Sequence, residues 1–121
     1  MAHTFEGIMV YEILPNGCLN GVYTNDHPDT RNEIFNGIAR KRSKQEEGIL
    51  GDYTCGFMSH TSDNIWECDL KIHNTPKRKR NGQYHFEWFD KKTKKMIFEG
   101  TGWLTRPNQV TVSYRDIEKS S

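Results

Sequence analysis

The sequence predicts an all-β protein, a single antiparallel meander of about eight strands closed into a small barrel. Three observations carry this. Apolar and polar residues alternate with a period of two along nearly the whole chain, and no segment of helical length carries a stripe at helical spacing. Turn residues interrupt the alternation at short, regular intervals, which suits hairpin connections. Ten glycines, several within the alternating segments at Gly37, Gly51, Gly56, Gly100 and Gly102, suit the bends and bulges of a small closed sheet.

The first strand runs through GIMVYEIL and stops at the turn PNG, Pro15 to Gly17. LNGVYTN follows as a short second strand, and NDHPDT is a loop. In NEIFNGIARKR, Ile34 and Ile38 alternate with Phe35 and Ala39, so this third strand is expected to make apolar contacts on both faces. KQEEG closes it. The fourth strand, ILGDYTCGFMSH, sets Ile49, Tyr53, Cys55 and Phe57 against Asp52, Thr54 and His60.

After TSDN the fifth strand alternates most strictly, with Trp66, Cys68, Leu70 and Ile72 on one face and Glu67, Asp69, Lys71 and His73 on the other. Such a strand has one buried and one wet face. The loop NTPKRKRNG leads to QYHFEWF, where Tyr84, Phe86 and Trp88 oppose His85 and Glu87. KKTKK is a basic hairpin connection, MIFEGTGWLT the seventh strand, RPN a turn, and QVTVSYRD the last strand, with Val110, Val112 and Tyr114 on one side. Closing the meander removes both exposed sheet edges. A two-sheet sandwich is the alternative.

The 121 residues suffice for one domain, 1–121, with one modest core. A net charge of +1 and a 12% aromatic content argue for a folded chain rather than a disordered one. The opening MAHTFEG has no basic segment followed by an apolar run, and no apolar stretch approaches membrane-spanning length, so a soluble cytoplasmic protein is expected. Cys18, Cys55 and Cys68 show neither CxxC spacing nor flanking histidines, so no disulfide framework, metal site or catalytic thiol is expected. Cys55 and Cys68 read as small buried hydrophobes, and Cys18, after a turn, as the exposed one. No phosphate loop is present, no cofactor is called for, and Ser59, Ser62 and Ser113 lack the partners of an activated nucleophile.

The phrases NGCLNGVYTN and FEGTGWLTRPNQVTVSY resemble in layout the calycin-type barrels, the avidin and lipocalin group. The stretch HFEWFDKKTKKMIFEGTG also resembles a group of very small bacterial barrels labelled N-acetylglutamate synthase. The resemblance implies an architecture, the small barrel, and carries no site residues with it. Nothing in the chain resembles an acetyl-coenzyme A loop.

Three constellations bear on function. In a meander, the connections after the first, third, fifth and seventh strands share an end. That end gathers Arg40, Lys41, Arg42, Lys44, Lys77, Arg78, Lys79, Arg80 and Arg106 into a basic rim, with Lys91, Lys92, Lys94 and Lys95 at the opposite end. Such a rim attracts an anion or an acidic partner, or keeps the turns solvated. With a pI near 7.7, nucleic acid is not an expected partner.

The second is the aromatic series Tyr53, Phe57, Trp66, Tyr84, Phe86, Trp88 and Tyr114, which falls on the apolar faces and fills the barrel or leaves a cup for one ligand. The third is the polar set His60, His73, His85, Asp52, Glu67, Asp69 and Glu87 on the opposite faces, with Asp52 expected across from His73 and Met58 across from Glu67.

The functional expectation is therefore a non-enzymatic barrel that binds a small apolar or aromatic ligand, anionic in one version, in its open end. Phe57, Trp66, Tyr84, Trp88 and Tyr114 are the expected interior contacts, and Arg40 and Arg106 the rim contacts. One alternative is an interaction module or homodimer that uses the basic loops or a sheet face. Another is a barrel enzyme using His73, Asp52, His85 and Glu87, which requires those groups to point inward.

Overall fold

The computed structural model describes residues 5–27, 34–42, 48–59, 62–74 and 83–117, with the side chains of 59 and 62–66 outside that description. Eight strands follow one another: β1 (Glu6–Ile13), β2 (Leu19–Asn25), β3 (Phe35–Lys41), β4 (Gly51–Ser59), β5 (Ser62–Asn74), β6 (Gln83–Asp90), β7 (Met96–Arg106) and β8 (Gln109–Asp116). Each pairs antiparallel with the next, and β8 pairs with β1, which closes the barrel. No helix among the described residues is long and apolar enough to cross a membrane.

Alternation decides what faces inward. Met9 and Tyr11 on β1, Leu19 on β2, Phe35 and Ala39 on β3, and Tyr53, Cys55 and Phe57 on β4 are buried. The series continues with Cys68, Leu70 and Ile72 on β5, Phe86 and Trp88 on β6, and Val110, Val112 and Tyr114 on β8. No polar or charged residue among those described is buried, so the interior is held by apolar burial and aromatic packing.

Glycines make room for these rings. Tyr114 stands opposite Gly7 on one side and Gly100 on the other, so its ring lies between two strands that carry no side chain at its level. A Cβ at Gly7 would come within 2.4 Å of the Thr24 carbonyl oxygen and 2.5 Å of the Tyr114 ring. Small and large residues thus alternate around the wall, as a narrow barrel requires.

Two expectations need correction. Ile34, just before β3, and Ile38 on its outer face were expected to find apolar contacts, but they are 59% and 52% exposed, because no second layer among the described residues covers that wall. The register between β4 and β5 also differs from the one expected. Asp52 stands opposite Lys71 rather than His73, and Met58 opposite Ile65 rather than Glu67. The cause is that Ser62 already belongs to β5, with the register shifting between Met58 and Ser59. A displacement of two residues leaves every side chain on its expected face.

Candidate functional site

An apolar cavity of about 170 Å³ lies inside the barrel at one end. Its walls are Phe5, just before β1, Met9 on β1, Tyr23 and Asn25 on β2, and Phe57 on β4, completed by Trp88, Phe98 and Tyr114 from β6, β7 and β8. These residues occupy the ends of β2, β4, β6 and β8 and the beginnings of β1 and β7. The cavity therefore opens where the chain passes from β2 to β3, β4 to β5 and β6 to β7.

The rings form a continuous edge-to-face frame. Tyr23 meets Phe57 at a centroid distance of 5.3 Å and Tyr114 at 6.4 Å, and Tyr114 in turn meets Trp88 at 6.0 Å and Phe98 at 5.9 Å. Phe5 packs edge-on against Phe98 at 5.8 Å and against His27 at 5.2 Å. Such contacts fix ring orientation beyond what burial alone would do.

Polar groups at the cavity fall into two kinds. The Tyr114 hydroxyl donates to the Thr24 carbonyl at 3.2 Å and accepts from Asn25 Nδ2 at 3.4 Å, which ties β8 to β2 at the entrance. Burial pushes the Tyr114 and Tyr23 hydroxyls up to about 12. By contrast, Trp88 Nε1 and Tyr11 Oη are buried without a hydrogen-bond partner. Tyr11 sits one inward position deeper than Met9, and its acidity is driven far down by burial and by the neighbouring Cys55 and Cys68 thiols. An unpaired buried donor costs about 1–3 kcal/mol, so the indole N–H of a cavity-wall residue calls for an explanation.

The described end around the entrance carries both signs of charge, with Asp26 and Asp116 beside β1 and Lys91, Lys92, Lys94 and Lys95 in the β6–β7 turn. Asp116 Oδ1 accepts from the Phe5 amide at 2.9 Å, and Asp26 Oδ1 from the Glu6 amide at 2.8 Å. Lys91 and Lys94 of the β6–β7 turn reach over the outer wall to Glu67 at 3.0 Å and Asp69 at 3.4 Å.

Of the residues expected at the site, Phe57, Trp88 and Tyr114 are brought together in the cavity wall. Tyr84 faces inward on β6 but packs at the other end of the barrel, opposite Gly102 and Asn74. Trp66 stands opposite Phe57 in the backbone register, and its side chain lies outside the described residues.

Arg40 and Arg106 do not rim this cavity. Both are exposed and lie at the closing end of β3 and of β7, the length of the barrel away from the mouth, so the expected basic rim is on the wrong end. Arg40 instead borders an outer groove with Cys18, Ile38 and Thr54. Lys44, Lys77, Arg78, Lys79 and Arg80 fall outside the described residues, as does His60.

The sequence reading missed Phe5, Met9, Tyr23, Asn25 and Phe98. Their inward alternation was available, but not their height along the barrel axis, which only the register supplies.

The polar set stands on the outer wall. His73 lies directly across from His85, and Glu87, two residues on from His85, accepts or shares a hydrogen bond with His73 Nε2 at 2.7 Å. His85 Nε2 is 3.7 Å from the other oxygen of Glu87. Asp52 stands across from Lys71, which itself stands across from Glu87. The inward arrangement that a barrel enzyme of these residues needs is thus absent, because each alternates with a buried apolar neighbour such as Ile72 or Phe86.

Cys55 and Cys68 are buried and face each other across β4 and β5, and Cys18 is partly exposed. The Cys68 thiol and burial push the Cys55 thiol well above its ordinary value. No family model, curated protein or solved structure matches this chain.

Proposed function

We propose that the protein is a small-molecule binding barrel of calycin-like design, cytoplasmic, that takes one neutral apolar or aromatic ligand in the cavity framed by Phe57, Trp88 and Tyr114. The observation that carries this reading is an apolar, ring-walled cavity one of whose wall residues, Trp88, has a buried indole N–H without a hydrogen-bond partner. A cavity of ~150 Å³ holds benzene, so about 170 Å³ fits a single ring and excludes a fused pair. A ligand bearing one hydrogen-bond acceptor, such as an aryl ketone, would satisfy the indole N–H and remove the penalty of leaving it unpaired. The ligand is taken as neutral because none of the described residues lining the cavity is charged.

Thermal shift with toluene, acetophenone and naphthalene tests the reading. Acetophenone should raise the melting temperature most, toluene less and naphthalene not at all, with the shift growing with ligand concentration. Trp88→Ala should abolish the response, and Trp88→Phe should erase the preference for acetophenone over toluene. No response to any single-ring compound, or a response unchanged in both variants, would refute it.

A second reading has its own support. The outer wall of β1 to β4 exposes Ile8, Val22, Ile38 and Met58, separated by the uncharged Asn20, Thr24 and Asn36. Glu6, Glu12, Arg40 and Asp52 stand on the same wall toward the strand ends, so a two-fold homodimer would bury the apolar centre of this face and leave the charges at its edge. Light scattering on wild type and Ile38→Lys decides it: a dimer dissociated by the lysine supports the reading, and a monomer in both removes it.

A further inference from the structure

From the outer wall of β5 and β6, independently of the interior cavity, we infer that His73, His85 and Glu87 form a binding site for a divalent transition-metal ion of the zinc type. The pairing of the two strands builds it. His73 and His85 are direct cross-strand partners, and Glu87 follows His85 by two residues, so all three side chains project from the same face. One ligand atom from each lies within 4.8 Å of the others.

The distances already approach a coordination sphere. Glu87 holds His73 Nε2 at 2.7 Å through one oxygen and has His85 Nε2 at 3.7 Å from the other, while the two imidazole centroids are 5.3 Å apart. Nitrogen and oxygen donors bind zinc at about 2.0–2.2 Å, so small rotations of three side chains suffice to enclose an ion. The side chains are neither fully exposed nor locked in the core: His73 is 43% exposed, His85 25% and Glu87 21%. That leaves access for the ion while limiting the rotamer freedom lost on binding.

The donor set selects the class of ion. Two imidazoles and one carboxylate suit zinc and its borderline neighbours, whereas magnesium and calcium require oxygen ligands. Glu87 supplies the negative charge that partly neutralises the cation. Lys71, across from Glu87 on β5, opposes it, and Glu99, across from Glu87 on β7, is itself engaged by Arg115 at 2.7 Å.

Three protein ligands leave a tetrahedral ion one open position. His85 also lines an outer groove of about 340 Å³ together with Thr101, Ser113 and Arg115. The groove also holds the carboxylates of Glu6 and Glu99, the latter paired with Arg115, so a water rather than an anion completes the sphere.

Calorimetric titration of zinc chloride into chelator-stripped protein carrying Cys18→Ser, which removes the partly exposed thiol, tests the site. One ion per chain is expected, with magnesium giving no heat. His85→Asn and Glu87→Gln should each weaken binding by more than about tenfold, the lower bound for even an outer-shell partner. Nitrogen NMR of the wild type should show the Nε2 resonances of His73 and His85 moving together on zinc addition, a readout that does not depend on how the variants fold. Absence of binding at millimolar zinc, or stoichiometric binding that leaves both imidazole resonances unmoved, would overturn the site.

Discussion

The two ends of the barrel differ in how they are filled and in how far their strands pair. At the end where β1 turns into β2, Leu19, Tyr53 and Val110 are fully buried, and the Tyr53 hydroxyl donates to the Ile49 carbonyl at 2.9 Å. At the other end, Phe57 and Tyr114 keep 7% of their surface, Tyr23 and Phe98 are half-buried, and Trp88 Nε1 has no partner. The wall differs too: at this end β5 runs from Ser62 to Glu67 past its pairing with β6, which begins at Cys68–Asp90, and the β2–β3 pairing ends at Tyr23–Phe35. A closed sheet fixes a cylinder, and the residues at each level decide whether that level is packing or pocket.

The comparison can be broken by truncating each end in turn. Leu19→Ala at the packed end should cost about 2–5 kcal/mol in denaturant unfolding, as for a buried leucine with nowhere to collapse. It should leave the thermal response to acetophenone in place. Gly7→Ala should cost about 1–3 kcal/mol by overpacking, since its Cβ meets backbone at Thr24 and the Tyr114 ring, and it should impair binding as well. Phe98→Ala at the mouth should cost less stability than Leu19→Ala, because the ring is only half-buried beside an existing cavity, yet weaken binding strongly. Equal stability losses at the two ends, with binding unaffected by either, would erase the distinction.

Alkali sharpens it further. Tyr23 and Tyr114 titrate near 12 in the fold against about 10 in an unfolded chain. The folded state thus holds protons that the unfolded state gives up, and stability is complete below pH 10 and falls as pH rises from there toward 12. Tyrosinate absorbance should appear together with unfolding, and Tyr114→Phe should shift that transition to higher pH. The smallest effect concerns the thiols. A neutral-pH thiol reagent should modify Cys18 rapidly in the native protein and Cys55 and Cys68 only on denaturation, counted by absorbance of the released product.

Much of this fold could be read from alternation and turns. The strands LNGVYTN and QVTVSYRD coincide with β2 and β8 residue for residue, and the inward series on β4, β6 and β8 follows from period two. What alternation cannot supply is height along the axis. Arg40 and Arg106 share the end that the meander predicts for them, but the expectation that this end is the ligand mouth fails, because the cavity lies at the opposite end. The β4–β5 connection misled for a related reason. Ser62, Asp63 and Asn64 are turn-forming residues, yet all three lie within β5, with Ser62 across from Ser59 and a register irregularity between that pair and Met58–Ile65. The His73–His85–Glu87 cluster was recognisable as a polar face, but the direct pairing that makes it a ligand set comes from the β5–β6 register.

The indole N–H resonances offer the most direct test of the cavity as a binding site, because Trp88 is buried in its wall while Trp103, 44% exposed on the outer wall, serves as an internal reference. On addition of acetophenone, the Trp88 Nε1–H signal, assigned by its loss in Trp88→Phe, should move saturably downfield as it gains an acceptor, and that of Trp103 should stay fixed. A Trp88 signal that does not move at saturating ligand, or that moves only in step with Trp103, would contradict the assignment of this cavity to ligand binding.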